Sequence, residues 1–138
     1  MALIRATSGS GGGGSLTPTT LWTNTATITS SYTFAGQSVA LSDDIDNYDY
    51  LKFTFIRRNT QTSNKYSVIV SVEDFKGTSA SASKFRGSVC SNDGSGNPYA
   101  RLFYYNSDTS VQFGAVTKVG GSDNDNANNI PMLIEGLK

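Results

Sequence analysis

From residue 21 onward nearly every apolar cluster has strand character, and in two runs apolar and polar positions alternate clearly with a period of two. In residues 50–57, Leu51, Phe53 and Phe55 oppose Lys52, Thr54 and Ile56. In residues 66–72, Tyr66, Val68, Val70 and Val72 oppose Ser67, Ile69 and Ser71. Successive strand side chains point to opposite faces of a sheet, so both runs predict antiparallel strands with one buried face. The polar stretch 59–64 between them reads as a hairpin loop. Further strands are expected at Leu21-Trp22, residues 25–33 (anchored by Ile28), 38–41, 84–90, 100–105, 110–117 and 129–134, with turns at 92–98 and 106–109. No window shows the 3.6-residue period of a helix. Pro131 lacks an N–H and is expected at a strand start or on a sheet edge. About eight short strands with this spacing predict an all-β, antiparallel β-sandwich of jelly-roll-like type. The Cys…Trp…Cys pattern of an immunoglobulin domain is absent.

The pattern stops at the N-terminus. Residues 9–15 are glycine and serine only, with four consecutive glycines from Gly11 to Gly14. Such a run has maximal backbone entropy and no side chain to bury, so it predicts a flexible tether. Ahead of it stand Ala2, Leu3, Ile4 and Arg5, a short apolar-plus-cation head suited to docking on a partner. The expected organisation is an extended docking arm over 1–15 and a sandwich domain over 16–138. A laboratory linker shares the Gly-Gly-Gly-Gly-Ser composition, but Met1 to Ala6 resembles no common tag.

Composition narrows the function classes. The 138 residues carry 11 Lys plus Arg and 11 Asp plus Glu, a formal net charge of zero, with no basic run. No nucleic-acid partner is expected. The chain has no histidine, which excludes Ser-His-Asp and Cys-His catalysis and His-ligated zinc. Cys90 is the single cysteine, so no internal disulfide forms, and it is expected as a buried, inert thiol. No run nears the roughly 20 apolar residues of a membrane span, and no secretory h-region is present. Membrane insertion is not expected.

Aspartates cluster at Asp43, Asp44, Asp46 and Asp49. They could ligate calcium, but the favoured reading is a turn whose carboxylates accept bonds from nearby backbone. Residues 123–128 resemble the start of an EF-hand loop, but Asn128 stands where glycine is needed and Ile134 where glutamate is needed. No metal or other cofactor is expected. Glycoside hydrolysis needs two convergent carboxylates. Glu73, Asp74 and the cluster are candidates only if the fold unites them, and no enzyme activity is expected. Tyr48, Tyr50, Tyr66, Phe103, Tyr104 and Tyr105 could form a sugar-stacking platform. Alternation instead assigns Phe53, Phe55, Phe103, Tyr105 and Phe113 to the core, and leaves Tyr104 and Trp22 to meet a partner chain. Arg57-Arg58 is large enough for an intersubunit ion pair and too small for nucleic acid. Ile56 and Ile69, on the more polar sides of their strands, suggest apolar surface that needs cover.

Leu21-Trp-Thr-Asn24, Phe34-Ala-Gly-Gln-Ser-Val-Ala-Leu41, Asp46-Asn-Tyr-Asp-Tyr50 and the terminus Ile130-Pro-Met-Leu-Ile-Glu-Gly-Leu-Lys138 together carry one further pattern. It resembles small β-sandwich virion proteins of tailed bacteriophages, of tail-tip, fibre, head-fibre or decoration type. The likeness covers residues 21–56 and 129–138, about a third of the chain, and its motifs are structural. It implies a virion-located structural subunit that contacts other capsid or tail proteins and forms a homotrimer or another symmetric oligomer. The alternative expectation is a carbohydrate- or receptor-binding module that recognises a bacterial surface glycan.

Overall fold

Alternation turns directly into strands, and the strands stack as two four-stranded antiparallel sheets. The computed structural model describes residues 16–77, 86–93 and 95–138, with Arg86 described in its backbone alone. Within these, the elements are β1 (Pro18–Thr23), β2 (Gln37–Ala40), a 3-10 turn (Ile45–Asn47), β3 (Tyr50–Arg58), β4 (Lys65–Ser71), α1 (Val72–Lys76), β5 (Arg86–Asn92), β6 (Pro98–Ser107), β7 (Ser110–Lys118) and β8 (Asn128–Leu137). One sheet has the order β1-β8-β3-β4 and the other β2-β7-β6-β5. The expected all-β sandwich is what forms. First strand pairs with last and second with next-to-last, the nesting of a rolled sandwich, while β3–β4 and β5–β6–β7 are simple hairpin connections. The predicted arm, including Ala2, Leu3, Ile4 and Arg5, lies outside the described residues.

The core lies between the sheets and is aromatic. Leu51, Phe53, Phe55 and Ile134 from one sheet meet Phe103, Val111 and Phe113 from the other, all without exposure. Phe53 is central, with ring centroids 4.5 Å from Phe103, 5.5 Å from Phe75 and 6.4 Å from Phe113. Phe75 reaches this cluster from α1. The helix starts because Ser71 Oγ accepts from the Asp74 N–H, with Glu73 and Asp74 in the first turn where acidic groups suit the helix dipole. Val72, expected as the last residue of a strand, instead opens this helix.

Backbone approach is closest at Gly87, whose cross-strand partner is the buried Phe103. A methyl there would fall 2.2 Å from the Phe103 ring. Gly87→Ala is therefore expected to lower the urea unfolding free energy by about 1–3 kcal/mol, because the ring has no free volume to move into. Gly114→Ala, whose added carbon would meet Leu102 at an ordinary 3.6 Å, serves as the control and should lose nothing.

Three expectations are corrected. Residues 25–33 form no strand; they make turns tied down by Asn59, whose Nδ2 donates to the Ser30 and Tyr32 carbonyls at 2.8 Å. Thr and Ser favour strands only when a partner strand is in reach, and here the segment crosses the end of the sandwich. Pro131 sits within β8, a central strand, at a bulge where the register against β3 shifts between Thr54 and Phe55. The bulge relieves the ladder of the N–H that proline lacks. Ile56 needs no external cover: it is buried beside its cross-strand partner Ile130, whereas Ile69 is exposed.

Candidate functional site

The residues singled out from the sequence do not converge on one site. The Trp22 ring, expected to face a partner, is half-buried and packs inward on Phe34 and Phe113, with centroids at 6.3 and 6.0 Å. Arg57 donates from Nε to the Asn92 carbonyl at 2.8 Å and from Nη2 to that of Asp93, bracing the β5–β6 turn. Arg58 pairs with Asp125 at 3.6 Å. Tyr104 is half-buried on the outer face of the second sheet. The candidate sugar platform is dispersed. Tyr48 packs against Gly136, Tyr66 stacks on Phe55, Phe103 is buried and Tyr105 bonds to Asp108. Tyr50 and Tyr104 lie on opposite outer faces. Cys90 is exposed, contrary to expectation, because Gly87 and Val89 take the inward positions of β5 and alternation turns Cys90 outward.

The aspartate-rich stretch is a capped turn. Asp43 accepts from the Asp44 N–H, Asn47 Nδ2 and the Tyr48 hydroxyl, and Asp44 caps the 3-10 turn through the Asp46 N–H. The Tyr48 hydroxyl is the chief reason that the Asp43 carboxyl lies below its ordinary value. Carboxylate oxygens of Asp44, Asp46 and Asp108 lie within 4.8 Å of one another. Lys76 supplies the countercharge: its Nζ lies 2.6 Å from Asp46 and 2.7 Å from Asp108. Hydrogen bonds to Asp108 and then Asp46 hold the Lys76 ammonium above its ordinary value, and Lys76 in turn holds Asp108 low.

The pH consequence has two limbs. A lowered carboxyl stabilises the fold above the ordinary aspartate value of 3.8 and loses that contribution as pH falls through the folded value. A raised ammonium stabilises the fold fully below 10.5 and loses that contribution as pH rises through its folded value. Asp108→Asn is expected to move the acid unfolding midpoint upward and the alkaline one downward, as read by circular dichroism across pH. The effect is small because the cluster is solvated.

The principal site that sequence reading passed over is Arg101. Its side chain is wholly buried, yet among the described residues no carboxylate pairs with it. Four carbonyls do so instead. Nε donates to Asn129 at 2.8 Å, Nη1 to Gly114 at 2.6 Å, and Nη2 to Phe34 at 2.8 Å and Asn128 at 3.4 Å. The guanidinium also lies 5.2 Å from the Phe34 ring centroid. Gly114 falls where the β6–β7 register shifts, so the fork fills a bulge. Asn129, at φ 47°, donates from Nδ2 to the Tyr99 carbonyl and accepts from the Tyr66 hydroxyl. Burial pushes the guanidinium down to about 10, so it stays charged at neutral pH. The arrangement joins β6, β7, β8 and the segment before β2. It acts as a structural pin.

Among known proteins, the chain matches no family model and no curated sequence. No helix among the described residues is long and apolar enough to cross a membrane.

Proposed function

We propose that this protein is a structural subunit of a bacteriophage virion, a β-sandwich knob attached to capsid or tail through residues 1–15. The observation that carries the reading is the position of β1. It lies at a sheet edge, begins at Pro18 and pairs with the end of β8. The described residues just ahead of it, Leu16 and Thr17, are exposed, which leaves this margin of the domain free for attachment. The motif likeness to phage virion proteins supports the same reading. So does the dispersal of the rings that a glycan platform would need: Phe103 is in the core, Tyr66 stacks on Phe55, and Tyr50 and Tyr104 lie on opposite outer faces.

The mechanism is docking. Leu3 and Ile4 bury in a groove or extend a neighbour's sheet, and Arg5 meets a carboxylate there. Two such side chains supply about 3–6 kcal/mol before ordering costs, so firm attachment needs several arms acting together. All rungs of the described ladders lie within residues 18–137. Deleting 1–15 is accordingly expected to leave the melting midpoint within a degree or two of the full chain, while entry into particles is lost. A chain that unfolds on this deletion, or enters particles without the arm, would contradict the docking role.

A further inference from the structure

We propose that the open edge of β4 takes up an extended segment of another protein as an added antiparallel strand, with an aliphatic residue opposite Ile69 and an acidic one opposite Lys65. This contact goes beyond the attachment reading and requires nothing of residues 1–15. β4 stands at the end of its sheet and pairs with β3 alone, over seven residues without a register shift or a proline. Flanking it, the Arg57 N–H donates to the Asn64 carbonyl at 3.0 Å and the Val72 N–H to that of Asp49 at 2.9 Å. Antiparallel ladders alternate bonded and non-bonded pairs. Tyr66, Val68 and Val70 therefore bond to β3, while Ser67 and Ile69 turn N–H and carbonyl to the open side. Among the described residues these groups meet no backbone partner there.

The other three edges carry features that oppose strand addition. β1 starts at Pro18, shifts register between Thr20 and Trp22, and accepts the Ser42 N–H on its Leu21 carbonyl at 2.9 Å. β2 is four residues long. β5 is crossed at its end by Arg57, whose Nε donates to the Asn92 carbonyl at 2.8 Å. β4 has only Lys65, at its start.

The edge itself defines its occupant. Donors and acceptors at the strand repeat are matched by another extended backbone, and side chains then set the choice of segment. On the outer side, Ile69 is 39% exposed, and Lys65 pairs with no carboxylate among the described residues. On the inner side, Tyr66 and Val68 are only half-buried, so apolar residues beside them would complete their cover. Read from N- to C-terminus, the antiparallel segment is aliphatic, apolar, polar, apolar, acidic, facing Ile69, Val68, Ser67, Tyr66 and Lys65 in turn. Neither residues 1–15 nor β4 contains an acidic residue, so this chain's own arm and the β4 of a second copy both leave Lys65 unanswered.

Amide hydrogen exchange on the full chain, read by NMR, tests this with a synthetic peptide. The probe is valine-valine-threonine-valine-glutamate, acetylated and amidated, beside a version ending in lysine. Without peptide, the Ser67 and Ile69 amides should exchange fast while those of Tyr66, Val68 and Val70 are protected. A dissociation constant on the order of a millimolar is expected for so short a strand. At about 5 mM peptide, exchange at Ser67 and Ile69 should then slow about sixfold. The lysine version should bind about threefold more weakly, the scale of an exposed ion pair. Ser67→Pro removes an N–H from the open side and spares the ladder, so it should abolish the slowing at Ile69. Lys65→Glu should reverse the preference between the two peptides and serves if Ser67→Pro fails to fold. Unchanged exchange at Ser67 and Ile69 overturns the proposal, as does slowing confined to other strands or a preference that Lys65→Glu leaves intact. Slowing at Ser67 and Ile69 when the chain alone is concentrated would make a second copy the occupant and overturn the choice of partner.

Discussion

Arg101→Ala is expected to unfold at markedly lower urea, with a loss of about 3–5 kcal/mol. The substitution strands the carbonyls of Phe34, Gly114, Asn128 and Asn129, which now share the guanidinium. It also leaves a cavity in the position of a large, wholly buried side chain. Arg101→Lys should recover little, because one ammonium cannot address four acceptors spread around a planar fork. A methionine tests the charge. If the bonds matter less than the volume, Arg101→Met will approach the parent; the bonding pattern predicts that it will fall close to alanine. Equilibrium unfolding of the three variants ranks them.

Phe53→Ala should cost a similar amount, about 3–5 kcal/mol, for a different reason. No hydrogen bond is lost. Removing the ring instead empties the centre of the aromatic cluster formed with Phe75, Phe103 and Phe113. These rings belong to both sheets and α1, so the void cannot close without shifting one sheet against the other. For a chain of this size the melting midpoint should fall by roughly 10 °C or more. Ile69→Ala, on the outer face of the neighbouring strand, should stay within about 0.5 kcal/mol of the parent.

The same contrast explains which parts of the fold were legible in the sequence. Where one face of a strand is buried and the other wet, alternation is written into the residue order, and β3, β4, β6 and β7 follow from it. Arg101 was legible by the same rule. It shares parity with Phe103 and Tyr105, so its inward position was implied, but arginine is read by habit as a surface residue. Cys90 is the mirror case: a thiol read as buried by residue type, although its parity opposes that of Val89. Helix α1 was marked by Ser71 followed three residues later by Asp74, a capping signal too short to register as a period. Pro131 and residues 25–33 were not legible, since a bulge and a missing partner strand are set by distant segments. The candidate site fared less well than the fold. Trp22, Arg57 and Arg58 bear residue types that suit a partner, yet the sandwich uses all three to hold its own loops and core.

The central claim is attachment through residues 1–15, and particle incorporation measures it most directly. Particles assembled with the full chain and with a chain lacking residues 1–15 would be purified and their protein content quantified by mass spectrometry. Docking through the arm predicts the full chain at a fixed copy number per particle and the truncated chain at background, with both chains folded in solution. Equal incorporation of the two, or the absence of both from particles, would contradict it.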